Sequence, residues 1–303
     1  MKTAFLFPGQ GSQYVNMLSS IYVNREAQNI LNSALKIVNK NIEFLHSEKA
    51  LSTTTAVQQC LLICEVAAFQ ALKSIGARPS FLAGHSVGAF SAAVCSDVLS
   101  FEDALRIVTL RGQLMEINSD SSYGMGVVIG LTEDQLEPIV TKINTNEYPV
   151  YVSNRNARTQ IALSGSLVGI ERVFKQVEKL AKVKMIKVST PSHCPIFSEV
   201  AVQLKNALKS CEIKKPKIPI ISNVNSRVIY NAEAVIEDLA MSISAPVRWY
   251  EGMQLLAELG VELFVEMPPG EILTKLSKNI FPEKHAVALE TMNLEDCLYL
   301  MNL

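Results

Sequence analysis

One joint constrains this chain more than any other feature. The short apolar run Phe81-Leu82-Ala83 leads straight into Gly84-His85-Ser86-Val87-Gly88, and a small-residue helix, Ala89 to Ser96, follows without a spacer. A strand that turns into a helix over five residues opens a β-α unit, and the strand that follows returns parallel to the first. The glycines let backbone segments approach closely and present the Ser86 hydroxyl at the helix start. There the Val87 backbone N–H has no partner inside the helix and is free to meet a developing oxyanion. The same five residues also fit a plain connecting turn. The strand before them and the Ala-rich helix after them favour a nucleophile.

The rest of the chain extends this strand–helix alternation. Residues 3 to 7 read as a strand, and helical periodicity runs from about Val15 to Val38, from Thr54 to Ser74 and from Phe101 to about Ile117. Residues 124 to 188 change character. MGVVIG, TEDQLEPIVTKIN, YPVYVSN, QIALSG, SLVGIERVFKQVEKLAK and VKMIKVS read as β-α-β-β-α-β, the order of a ferredoxin-like module. Beyond it come a helix from Pro195 to Ser210, a strand over 218–222, helices over Ala232 to Ser242 and Trp249 to Leu259, the strand ELFVEM and a helix from Glu271. The predicted fold is α/β: a large, mainly parallel-sheet domain with an α/β-hydrolase-like core, residues 1–123 and 189–303, carrying an inserted ferredoxin-like domain, residues 124–188.

Composition narrows the function classes. Hydrophobic residues make up 49 % and charged residues 19 % of the chain, enough for a sizeable core and unlike a disordered segment. The net charge of -1 gives no basic footprint for nucleic acid. Polar or charged residues break each apolar run, so no membrane span is expected. The apolar N-terminus stops at Pro8-Gly9 and reads as a first strand entering a functional turn, not as a signal sequence, which points to a cytoplasmic protein. The six cysteines, Cys60, Cys64, Cys95, Cys194, Cys211 and Cys297, lack metal-ligand or C-x-x-C spacing. They read as small buried hydrophobes in a reducing compartment, and neither a metal nor a redox cofactor is expected.

A nucleophilic serine needs a base, and the chain has four histidines. His46 sits among charged residues near a helix end and reads as solvated. His285 lies in the surface-like FPEKHA segment. His85 adjoins the serine, where neighbouring side chains point apart. His193, in Thr190-Pro191-Ser192-His193-Cys194 between a strand and a helix, sits where catalytic groups are commonly displayed, although an ordinary turn histidine fits that position too. FPGQGSQ, residues 7 to 13, follows the first strand. It lacks the lysine of a P-loop, and the Gln10 backbone N–H is an alternative oxyanion donor. Arg111 stands on an otherwise apolar helix. It is either an ordinary ion-paired arginine or, if it points into a pocket, a bidentate partner for a substrate carboxylate.

FPGQGSQ, GHSVG, LRGQLM and PSHC, in this order and with the closing PVRW and PPGEILTKL segments, resemble the malonyl-CoA:acyl-carrier-protein transacylase family over nearly the whole chain. The resemblance implies that Ser86 carries the acyl ester, His193 is its base and Arg111 holds the malonyl carboxylate. It further implies oxyanion N–H groups from Gln10 and Val87, and a histidine oriented by the backbone carbonyl of Ser242 in place of an acid. Malonyl-CoA would be the donor and the phosphopantetheine-type thiol of an acyl carrier protein the acceptor. Family members of fatty-acid synthesis commonly read G-E-Y or G-E-F after the serine's neighbour, where this chain has Gly88-Ala89-Phe90. With SSYGMGVV (121–128), NAEAVIEDLA (231–240) and VELFVEMPPG (261–270), the pattern looks more like the malonyltransferase (epsilon) subunit of malonate decarboxylase, with other subunits of that system as partners. The alternative is a housekeeping transacylase of fatty-acid or polyketide synthesis. Two further readings compete. A serine hydrolase or thioesterase explains GHSVG, but expects an acid between serine and histidine and a histidine near the C-terminus. A non-catalytic carrier-docking subunit would not need Ser86, His193 and Arg111 together.

Overall fold

In the computed structural model the described residues are 1–20, 24–186, 188 and 190–303. The strands among them are β1 (Thr3–Phe7), β2 (Phe81–Gly84), β3 (Tyr123–Ile129), β4 (Val150–Ala157), β5 (Gln160–Ser166), β6 (Lys182–Ile186), β7 (Ile220–Ile221), β8 (Val228–Ile229), β9 (Leu263–Glu266) and β10 (His285–Ala288). The α-helices are α1 (Arg25–Val38), α2 (Ile42–Leu45), α3 (Glu48–Leu51), α4 (Thr54–Ser74), α5 (Gly88–Cys95), α6 (Phe101–Ile117), α7 (Glu133–Ile143), α8 (Leu167–Val177), α9 (Ser198–Lys209), α10 (Ala232–Met241), α11 (Trp249–Glu258), α12 (Ile272–Ile280) and α13 (Leu294–Met301).

Six strands form one sheet in the order β10-β9-β1-β2-β7-β8, parallel throughout except for the β7–β8 pair. A parallel sheet is covered on both faces, so its central strand reads as a continuous apolar run. β1 is such a strand, TAFLF, buried at all five positions. Its side chains alternate between two cores. Phe5 and Phe7 enter the core that holds residues of α4, α5 and α6, whereas Ala4 and Leu6 enter the core with Trp249, Met253 and Leu273.

The second sheet is antiparallel, in the order β4-β5-β3-β6, and is built from the predicted β-α-β-β-α-β run. α7 and α8 cover one face through Leu136, Val140, Ile170 and Val173. Their starts are legible locally. Thr132 and Gln135 form a capping box on α7, and the Ser166 hydroxyl accepts the Gly169 N–H at 3.0 Å on α8.

Several expectations are corrected. The helix expected from Val15 begins only at Arg25, capped by Asn24, and Met17–Ser20 is a separate 3-10 turn; residues 21–23 lie outside the described residues. The strand expected over 183–189 spans Lys182–Ile186, and Lys187 and Ser189 likewise lie outside the described residues. The expectation of no apolar run long enough for a bilayer also fails. α4 is long and apolar enough by length and composition, but 89 % of its apolar window is buried inside the molecule, so it serves as a core helix. His285 is exposed, as its surface-like FPEKHA segment suggests, and it opens the edge strand β10.

Candidate active site

The turn between β2 and α5 is tight because small residues make it possible. A Cβ at Gly88 would lie 2.2 Å from the Phe7 carbonyl oxygen, and one at Gly9 would lie 2.8 Å from that of His85. Neither position tolerates a side chain without moving backbone. The loop after β1 therefore lies directly on the serine turn, tied by the His85 N–H to the Phe7 carbonyl at 2.9 Å. Ser86 sits at φ 56° in the left-handed region, an uncommon place for a residue with a Cβ. What holds it is Asn223. Its Oδ1 accepts the Ser86 N–H at 3.0 Å, and its Nδ2 donates to the Gly84 carbonyl at 2.9 Å, spanning the turn. Asn223 is itself fixed, because the Asp238 carboxylate accepts its backbone N–H at 3.1 Å.

His193 approaches from the loop after β6. It too has a left-handed backbone, φ 64°, fixed by its N–H donating to the Ile243 carbonyl at 2.7 Å. Its Nε2 lies 2.8 Å from Ser86 Oγ, and its Nδ1 donates to the Ser242 backbone carbonyl. A carbonyl only accepts, so the proton resides on Nδ1 and Nε2 is left to accept from the serine hydroxyl. Burial, followed by the Arg111 guanidinium, drives the His193 pKa down to about 3, against the lift from the Ser242 carbonyl. The imidazole is therefore a neutral base at physiological pH.

Arg111 is 1 % exposed and projects from α6 into the same cavity. Its Nη2 lies 3.4 Å from Ser86 Oγ and its Nη1 3.4 Å from the Met115 sulfur, while Nε has no partner among the described residues. Burial alone lowers its pKa, to about 9, so it stays charged at neutral pH. A buried guanidinium whose polar neighbours are a thioether and a hydroxyl is costly unless an anion arrives to meet it.

The cavity encloses about 170 Å³ between the two sheets. Ser86, His193, Arg111 and Gln10 line it from the large sheet, and Met125, Asn154, Asn156 and Ala162 from the small one. The Gln10 and Val87 N–H groups donate to no acceptor among the described residues. Val87 directs its side chain into the core, 2 % exposed, and stands at the N-cap of α5, where no side chain caps the helix. Ser242 contributes its carbonyl behind the histidine, and its own side chain is buried. Of the other histidines, His85 turns away to Asn156 Oδ1 at 3.0 Å and to the Trp249 ring. The expectation for His46 is corrected: it is 3 % exposed, and its Nδ1 accepts the Leu18 N–H at 3.2 Å. Its charged neighbours suggested solvation, but the segment after the first loop folds over it. Asn223 went unnoticed in the sequence; its signal, a polar residue directly after a short apolar strand, is faint.

Comparison with known proteins agrees with this geometry. The acyl transferase domain family profile matches residues 4–293. The malonyl CoA-acyl carrier protein transacylase of Bacillus subtilis strain 168 is 31 % identical, over 97 % of this chain and 98 % of that protein. The protein of the same name from Staphylococcus aureus strain MRSA252 is 32 % identical over 96 % of each. Among solved structures, the malonyl CoA-acyl carrier protein transacylase of Coxiella burnetii superposes with a TM-score of 0.94 at 31 % identity, covering 100 % of this chain and 97 % of that one. A malonyl-transacylase solved in complex with its type II PKS acyl-carrier protein superposes with a TM-score of 0.94 at 30 % identity, covering 99 % and 100 %. With one profile spanning both sheets and full-length relatives above 30 % identity, this chain belongs to the acyl transferase domain family and, within it, to the malonyl CoA-acyl carrier protein transacylases.

Proposed function

We propose that the protein transfers a malonyl group from malonyl-CoA to the phosphopantetheine-type thiol of an acyl carrier protein through a malonyl ester on Ser86. The observation that carries this reading is Arg111, a buried charge without a counter-ion among the described residues, 3.4 Å from the hydroxyl that would bear the acyl group. A malonyl group on Ser86 Oγ carries its carboxylate two carbons beyond the ester carbonyl, where a bidentate pair with the guanidinium is within reach.

The cycle has two symmetrical halves. His193 Nε2 takes the hydroxyl proton as Ser86 Oγ attacks the thioester carbon. The tetrahedral oxyanion is met by the free N–H groups of Gln10 and Val87. The intermediate collapses, the C–S bond breaks, and the imidazolium returns its proton to the departing CoA thiolate. The carrier thiol then gives its proton to His193, attacks the ester and leaves with the malonyl group, restoring Ser86. Ser242 orients the ring and its tautomer throughout. The carboxylate also tunes the base: by neutralising Arg111 it removes one of the charges that hold the His193 pKa low, so the imidazole is more basic with substrate bound than without. The reaction as written calls on no metal or redox group.

The partner of His193 Nδ1 disfavours the hydrolase reading, since a backbone carbonyl stands where that fold expects a carboxylate. The relatives named above carry the transacylase name, which favours service to fatty-acid or polyketide synthesis over the malonate decarboxylase subunit suggested by residues 121–128, 231–240 and 261–270. We also propose that segments 1–123 and 189–303 form one domain and 124–188 the other, with the cavity at their junction.

The test is intact-protein mass after mixing with malonyl-CoA. A malonyl adduct is expected on the wild type, absent from Ser86→Ala and discharged by a holo acyl carrier protein faster than by water. An adduct persisting in Ser86→Ala, or one that only water removes, overturns the assignment.

A further inference from the structure

β4 forms one wall of the cavity, and residues 153–156 also carry its attachment to the large sheet's helices. The Ser153 carbonyl accepts the Val247 N–H and the Arg155 N–H donates to the Val247 carbonyl, both at 2.9 Å, which makes the bridge between Asn154 and Val247. Asn156 Oδ1 pairs with His85 Nε2 at 3.0 Å. Asn154 and Asn156 both line the cavity, whereas Arg155 does not. Its guanidinium leaves on the other side and pairs with two acids. One is Glu133, at the start of α7 on the small sheet. The other is Glu251 on α11, whose Oε1 lies 3.2 Å from Arg155 Nη1 and also 3.2 Å from Arg248 Nη2. Two arginines and two glutamates thus balance in charge. The side chains of Arg155, Glu133 and Glu251 retain 19, 22 and 26 % exposure, which shields these pairs more than an open surface would.

We propose that Arg155 is a positioning residue: by tying α7 and β4 to α11, it holds the small sheet against the large one and keeps the far wall of the acyl cavity closed. The inference rests on the reading of Ser86 as the malonyl carrier, because a closed wall matters to a carboxylate that must stay on Arg111 and to an ester that must wait for a thiol while excluding water. Arg155 touches neither Ser86 nor the cavity, so its loss leaves the dyad intact. If β4 withdraws, Asn154 and Asn156 move with it, and the cavity opens to solvent.

Arg155→Met keeps the aliphatic bulk and removes the charge. For this variant KM for malonyl-CoA should rise about fivefold with kcat changed by less than about twofold, the pattern of lost binding and not of lost chemistry. Hydrolysis of the Ser86 ester relative to transfer should rise by about threefold or more as water gains entry. Arg155→Lys should recover part of each effect, and Glu251→Gln should reproduce them without adding to Arg155→Met. Hydrogen exchange at the amides of position 155 and Val247 should accelerate in both charge-removing variants. The exchange readout needs no acyl chemistry: faster exchange in a protein whose wild type never carries malonyl sinks the transacylase reading and leaves the clamp standing. Unchanged KM, partition and exchange overturn the clamp, as does a fall in kcat and thermal stability with KM and partition unmoved. If Arg155→Met does not fold, Glu251→Gln decides on the same readouts.

Discussion

At one end of the cavity, Ser86 and His193 are held from every side: Asn223 on the serine turn, Ile243 and Ser242 on the histidine, and a 2.8 Å bond between the two side chains. A few ångströms away, Arg111 has a thioether, a 3.4 Å approach to the serine oxygen and an Nε without a partner among the described residues. The contrast separates two tasks. On the proposed function the dyad would act on any thioester, and its geometry is completed in advance, with strain held in the two left-handed residues. On the same proposal the arginine would serve only a substrate with a distal carboxylate, which would complete its hydrogen bonds.

Breaking the finished end should have the largest effect. His193→Ala leaves Ser86 without its base, and acylation should slow by about 10²–10⁴-fold, the usual worth of a positioned general base. Rapid-quench measurement of the malonyl adduct checks this, and a loss below tenfold would assign the base elsewhere.

Breaking the unfinished end should be selective. Arg111→Ala should lower malonyl transfer relative to acetyl transfer by about 10- to 100-fold, corresponding to about 1.5–3 kcal/mol for a charged hydrogen-bond partner lost from a dry site. Acetyl transfer itself should change little or improve. Lysine should rescue poorly, having the charge but not the planar fork. An equal fall for both substrates would make Arg111 structural.

The smallest effects sharpen the comparison by linking the two ends. Arg111→Met removes a positive charge beside His193, so the acid limb of kcat/KM for acetyl-CoA should move to higher pH, staying below the ordinary histidine range because burial remains. An unmoved limb would show that the two side chains do not sense each other. The same variant should melt at higher temperature. At pH 7 the arginine is charged both folded and unfolded, so the fold bears the cost of its burial, and an apolar replacement should stabilise by about 1–4 kcal/mol. Calorimetry in the presence and absence of malonate checks it: the anion should raise the wild-type midpoint and leave the variant's alone. His193 adds a pH signature of its own. Its folded pKa, about 3, lies below the unfolded value of 6.5, so its contribution is fully present above pH 6.5 and is lost as pH falls through that window.

The two ends also differed in how far the sequence revealed them. Ser86 announced itself because strand, glycine pair and helix are contiguous, and a local pattern suffices. His193 and Arg111 needed the ordered set of motifs, since neither a turn histidine nor an arginine on an apolar helix is informative alone. Asn223 stayed hidden because its partners, Gly84 and Ser86, lie 139 and 137 positions away. β8 and β10 escaped for a related reason: two- and four-residue strands exist only through the neighbour they pair with. His46 was misread because burial belongs to the fold, and a charged neighbourhood in the chain is no guide to it. The small sheet was legible as a unit, since its six elements alternate in the right order, but the ion pairs of Arg155 cross to α11 and no spacing foretells them.

The serine and its base are far apart in the chain: Ser86 precedes His193 by 107 positions, and His193 precedes the carbonyl that orients it by 49. During synthesis at about 5–20 residues per second, the nucleophile thus emerges from the ribosome roughly 8 to 30 seconds before its base and orienting group are both available. Until then the serine is an ordinary alcohol. On the proposed mechanism an unfinished chain would lack the base that loading from a thioester requires, so the order of the motifs would delay the reactivity of Ser86.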